Sequence, residues 1–201
     1  MREFVYIIES PSDSDLYCHR YESDLLRQAV ELSNMKCTVR IAASKATFEK
    51  AINEGLRNDV VANFPQDPIL HISAHGCEDG FCLTNGDFIT WSELQNLLLP
   101  ISRARDWGLL LCMSACKGIQ AIKMAFTDEV THEAAYAVVG NSGEPTWSDT
   151  AVAYASFYHI LSKRDDLDAA VEAMKIASGN NDFQILLPFV VRNEKLISQK
   201  K

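Results

Sequence analysis

The sequence predicts an α/β fold: a three-layer sandwich in which helices cover both faces of a mostly parallel central sheet. Two observations carry this. Short apolar runs alternate with stripes at helical spacing along the chain, the pattern of βαβ units. The run Leu109 to Met113 is apolar throughout, as a strand covered on both faces must be.

In order, FVYIIES (4–10) is a first strand, ended by the breaker Ser-Pro-Ser-Asp. Leu25, Leu26, Ala29, Val30 and Leu32 recur at helical spacing over 22–33. Residues 37–43, CTVRIAA, alternate and are β-branched, giving a second strand. Phe48, Ala51, Ile52 and Leu56 form a second helical stripe that Gly55 weakens near its end. Pro68 opens a third strand, Ile69 to Ser73. Over 80–91, Asn85-Gly86 supplies the positive φ of a tight turn between two β-prone runs, a hairpin signal. Ser92, Leu94, Leu97 and Leu98 begin a helix that Pro100 should limit or bend. Leu109 to Met113 is the fourth strand. Ile119, Ile122, Ala125, Phe126 and Val130 make a stripe, Tyr136 to Val139 a fifth strand. Asp149 to Leu161 and Leu167 to Ala177 are helical, and 192–201, RNEKLISQKK, reads as polar tail. Without repeats or a linker, the expectation is one domain over 1–195 and a frayed end over 196–201.

A chain of 201 residues is long enough to bury roughly 70% of its unfolded surface in one domain without disulfides or metal. Its net charge of −8 argues against direct nucleic-acid binding, which needs cations on phosphates, and against anionic membranes. No apolar run approaches the ~20 residues of a membrane span, and MREFVYIIESPSD does not resemble a secretory signal. The six cysteines lack paired metal-ligand spacing, so reduced thiols in a cytoplasmic protein are expected.

The chemistry concentrates at two strand ends. PILHISAHG and WGLLLCMSACKG both break just after a reactive side chain, His75 in one and Cys116 in the other. Ligands of parallel sheets bind beyond the carboxyl ends of the strands, which groups the loops 10–20, 74–80, 114–118 and 140–149. An ordinary cysteine is only ~3% thiolate at pH 7, so a nearby imidazole that takes the proton and returns it to a leaving amine supplies the missing reactivity. The N–H groups of Gly76 and Cys116 are the candidate oxyanion donors. Gly118 eases the turn into the next helix, whose start would favour negative charge at the sulfur. Cys112 and Cys37 read as strand packing, Cys18 as a loop residue and His71 as a core histidine. His71, His75, Cys77 and Cys82 match no common zinc spacing, so neither metal nor cofactor is expected. Trp147 either lines the groove or is buried beneath the loop.

Ser73-Ala74-His75-Gly76 and Ser114-Ala115-Cys116-Lys117-Gly118 resemble the two motifs of caspase-like (clan CD) cysteine peptidases, most nearly the bacterial CHAT type, with its hairpin after the His-Gly motif. The resemblance covers nearly the whole chain. It implies a caspase-hemoglobinase-like sandwich with that hairpin, endopeptidase activity through a Cys116–His75 dyad, and a backbone carbonyl from the first loop orienting the imidazole. Two departures stand out. Ser114 replaces the glutamine that helps caspases bind an acidic P1 side chain, and also the aspartate of metacaspases. No long cleavable linker follows Cys116, so division into two subunits is not expected. Asp13, Asp15, Ser114, Glu144 and Asp149, with Asp79, are the candidate substrate-binding residues; their charge leans towards a basic or neutral P1, which an inward Arg20 would reverse. The expectation is a cysteine endopeptidase acting on a protein or peptide. By the same resemblance, a regulatory protein partner would control it in a bacterial defence or signalling system. The rival readings are a non-catalytic interaction module on the same fold and an unrelated doubly wound receiver or nucleotide-binding domain. The second is weakened because SPSDSD, not a glycine-rich loop, follows the first strand.

Overall fold

The computed structural model describes residues 3–105, 108–126 and 133–198. Strands β1 (Glu3–Glu9), β2 (Lys36–Ile41), β3 (Asp67–Ser73), β7 (Leu110–Ser114), β8 (Ala137–Asn141) and β9 (Phe183–Leu186) form one sheet in the order β2-β1-β3-β7-β8-β9. All pairs in it are parallel except β8 with β9. A small antiparallel sheet, β4 (His75–Cys77), β5 (Gly80–Cys82) and β6 (Phe88–Thr90), follows β3 directly and contains the expected hairpin.

Alternation along the strands divides the core in two. Phe4, Tyr6, Ile8, Leu70, Ile72, Leu111 and Met113 face α3 (Lys45–Lys50), α5 (Trp91–Arg103) and the 3-10 helix Gly118–Phe126. Val5, Ile7, Ile69, Leu110, Cys112 and Val139 face α2 (Glu22–Leu32), α6 (Trp147–Arg164) and α7 (Leu167–Ser178). The α/β three-layer arrangement with its mostly parallel sheet is therefore as the sequence predicts.

Several elements differ in ways with physical causes. At Gly55 the second helical stripe departs from regular α geometry but does not end. The Tyr6 hydroxyl packs against Gly55 and donates to the Ala51 carbonyl at 2.8 Å. The chain widens there into a π segment, Ala51–Leu56, and continues as α4 (Arg57–Ala62). Pro100 does not end α5, which runs three residues further, because Pro100 is exposed on the outer face where water can satisfy the freed carbonyl. The stripe after Cys116 forms a 3-10 helix, in keeping with Ile119, Ile122 and Ala125 at intervals of three; Val130 lies outside the described residues. The short helix α1 (Asp13–Tyr17) and strand β9 are too brief to give periodicity. Where polar tail was expected from Arg192, helix α8 (Pro188–Ser198) continues, and 199–201 lie outside the described residues.

His71 is fully buried on the α6 side of β3. Its Nδ1 is 2.9 Å from the Tyr158 hydroxyl, and its ring meets Tyr154 edge-on. Burial drives its pKa down to about 3 and keeps the ring neutral. Cys77 and Cys82 are exposed on the hairpin instead, so they do not converge with His71 on one point.

Candidate active site

β3 and β7 lie side by side in register, with Ser73 opposite Ser114. The Ala74 N–H donates to the Ser114 carbonyl at 3.1 Å, carrying the pairing one residue further. Two residues beyond each serine stand His75 and Cys116. Both line one small pocket, with Ala74, Ser114, Ala115, Pro145, Trp147 and Thr150. Shared alignment of two strand ends thus brings the imidazole and the thiol to one place.

Gly76 makes the close approach possible. A Cβ there would overlap the Cys116 carbonyl oxygen and stand 2.8 Å from the Ala115 Cβ. Past the cysteine, Lys117 sits at φ +54°, in the left-handed region that non-glycine residues occupy at a cost of ~1–3 kcal/mol. Its N–H donates to the Gly143 carbonyl at 2.8 Å, and the Gly143 N–H to Asn141 Oδ1 at 2.7 Å. The Ser142 N–H donates in turn to the Asp182 carbonyl at 3.0 Å, just before β9. The turn after Cys116 is therefore tied to the loop after β8 and, through it, to the segment just before β9.

The Cys116 N–H is given to no carbonyl among the described residues and lies beside its own sulfur. Burial first, and then the Glu144 charge, push the thiol pKa up, against a smaller lowering by that N–H and by Lys117. The thiol is therefore protonated at neutral pH, and any reaction through its thiolate needs a base to take the proton. Replacing Glu144 by glutamine removes one upward push without touching the pocket wall. Alkylation of Cys116 at pH 7 is expected to rise about twofold in low salt and to converge on wild type in high salt. An unchanged rate in low salt would contradict this account.

The His75 ring is exposed and meets Trp147 edge-on, centroids 6.0 Å apart. Among the described residues it makes no hydrogen bond, neither to a first-loop carbonyl nor to the thiol.

The candidate substrate-binding residues separate. Ser114 lines the pocket. Asp15 is committed to Arg20, at 2.7 Å, and to the Ser12 hydroxyl, so Arg20 points to its own loop. Asp13 is exposed in the first turn of α1. Asp149 accepts from the Thr146 N–H in the capping box of α6, which begins at Trp147. Glu144 is exposed at the rim, and Asp79 pairs with Lys123. Of the acidic residues, Glu144 alone acts on the sulfur's ionisation.

Sequence reasoning missed Glu22. Its carboxyl is buried under the pocket, accepting from the Ser73 hydroxyl at 2.5 Å and from the Ser114 hydroxyl at 2.8 and 2.9 Å. A glutamate in the first turn of an amphipathic helix reads as a solvated charge; only the serines two residues before His75 and Cys116 hinted at a shared partner.

The fold is caspase-hemoglobinase-like and is shared with solved cysteine proteases. The chain is similar to a secreted C11 cysteine protease from Bacteroides thetaiotaomicron in complex with an irreversible peptide inhibitor, at TM-score 0.61 and 9% identity over 94% of this chain and 67% of that one. It is also similar to a second structure of a secreted C11 protease from that organism, at 0.58 and 14% over 93% and 66%. Against the Arg-specific cysteine proteinase gingipain R the values are 0.53 and 9% over 91% and 46%. The chain thus spans about two thirds of the C11 proteases and under half of the gingipain. No family profile matches the sequence, and no curated protein matches it.

Proposed function

We propose that this chain is a cysteine endopeptidase in which Cys116 attacks a peptide carbonyl while His75 takes its proton and later delivers it to the leaving amine. The observation that carries the reading is the single pocket shared by His75 and Cys116 at the carboxyl ends of adjacent parallel strands. Support comes from the unengaged Cys116 N–H, which with that of Gly76 would form the oxyanion donor pair, and from a fold shared with cysteine proteases, one of them solved with an irreversible peptide inhibitor. The thiol, held protonated at rest, needs the neighbouring base that this reading supplies.

The wider reading is a CHAT-type enzyme working with a regulatory protein partner in a bacterial defence or signalling setting. It rests on the two motifs and on the small size of the pocket, which a partner or substrate would have to open. A peptidyl acyloxymethyl ketone tests the catalytic part. Site-resolved mass spectrometry should show adduct at Cys116 well ahead of the exposed Cys18, Cys77 and Cys82. Equal labelling of all four, with or without protein from neighbouring genes, would favour a non-catalytic interaction module on this fold.

A further inference from the structure

We propose that Glu22 is a positioning residue for the Cys116–His75 site: its buried carboxyl bridges the two strand ends that deliver those side chains, and gain or loss of its proton resets the bridge. The inference takes the peptidase reading for what the site does, but its test does not depend on cleavage.

The geometry is a row across the sheet. Glu9, Ser73 and Ser114 are register partners at the ends of β1, β3 and β7, all on the α2–α6 side. Helix α2 starts against this row. Its N-cap, Tyr21, supplies no side-chain bond. Instead the Glu9 carboxylate accepts from the N–H of Glu22 at 2.9 Å and of Ser23 at 3.0 Å, where the helix end favours negative charge. That holds Glu22 in place so that its own carboxyl reaches both serine hydroxyls. Two residues further on come His75 and Cys116. A bond from one carboxyl to both serines therefore fixes the offset of one strand end against the other, and with it the approach of ring and sulfur. A misplacement of about 1 Å at such a site lowers rates ~100-fold.

The groups facing Glu22 are acidic or neutral. From β1 comes Glu9; from α2 itself Ser23, with Asp24 acting on Glu9; from β3 Ser73; from β7 Ser114; from α6 Thr150 and the phenol of Tyr154. The Thr150 hydroxyl borders the carboxyl but is also 3.0 Å from the Trp147 carbonyl, to which it donates. Among the described residues no lysine or arginine pairs with Glu22. Burial, reinforced by the Glu9 charge and opposed by the hydroxyl bonds, raises its pKa from 4.5 to about 7. Ionised, it accepts from both serines. Protonated, it loses its charge and accepts through one oxygen alone while the other becomes a donor, which weakens its hold on the two strand ends.

Glu22→Gln mimics the protonated state at every pH, because the amide both donates and accepts. The readout is iodoacetamide alkylation of Cys116, resolved by mass spectrometry, together with melting temperature across pH. The wild-type rate divided by the Glu22→Gln rate is expected to rise about threefold between about pH 6 and about pH 8 and to stay level on either side. The folded-state pKa is raised, so native Glu22 holds a proton that the unfolded chain releases. Relative to the variant, wild-type melting is therefore highest below pH 4.5 and declines as the pH rises through about 7. His71 tilts stability the other way, but it is present in both proteins and cancels. A ratio and a melting difference both flat with pH overturn the proposal. Should Glu22→Gln not fold, Ser73→Ala serves. Losing a donor to the ionised form raises the Glu22 pKa by about one unit, so the wild-type rate divided by the Ser73→Ala rate should pass through a maximum between about pH 7 and about pH 8, and a ratio flat with pH overturns the proposal. Failure of the peptidase reading shows separately, as a Cys116 that alkylates normally in a protein that cuts no peptide.

Discussion

Cys116→Ala is expected to bring peptide cleavage down to the background of the assay, a loss of at least ~1000-fold, while the melting temperature stays within a few degrees of wild type. The effect is large because no second nucleophile replaces the sulfur. Cys112 points into the core from β7, with its thiol pushed up to about 12 by burial, while Cys77 and Cys82 lie on the exposed hairpin. The effect on folding is small because Cys116 is only partly buried and its turn is held by backbone bonds from Lys117 and Gly118, which alanine keeps. Kinetics on a peptide library, with wild type and variant side by side, make the measurement. Cleavage that survives in the variant would move the chemistry elsewhere in the molecule.

Gly76→Ala should have the next largest effect, with both activity and stability affected. The new methyl group meets the Cys116 backbone carbonyl and the Ala115 Cβ, neither of which is the free end of a flexible side chain. The hairpin strand β4 must therefore move away from the turn at Cys116. A shift of this kind lowers kcat/KM ~100-fold, and the forced packing costs about 1–3 kcal/mol. Urea melts and steady-state rates on the variant measure the two separately. A Gly76→Ala protein as active as wild type would show that the His-Gly segment and the cysteine turn do not press together in solution.

Much of this architecture was legible in the chain because the pattern and the physics agree. Leu109 to Met113 had to be covered on both faces, and Asn85-Gly86 had to turn; the structure has both. His75 and Cys116, which line one pocket, stand out in the sequence because each closes an apolar run. What escaped notice depends on partners far apart in sequence. The π segment exists because a tyrosine from β1 reaches Ala51 and Gly55, which no local periodicity records. Glu22 is 51 positions from Ser73 and 92 from Ser114, so its burial follows only from the strand order. The acidic loop residues are a case where composition gives no position: Asp15 answers Arg20 and Asp149 caps its own helix, pairings set by local geometry.

The bond from Ser142 to Asp182 has a bearing on biosynthesis. A ribosome delivers His75 and Cys116 long before Asp182, and domains fold from the N-terminal side as they emerge. Until the segment around 182 has left the exit tunnel, the loop that steadies Lys117 lacks its outer anchor. The growing polypeptide thus carries His75 and Cys116 before the anchor of the loop beside them exists, and the cell meets the two residues in their final setting only once residue 182 has emerged.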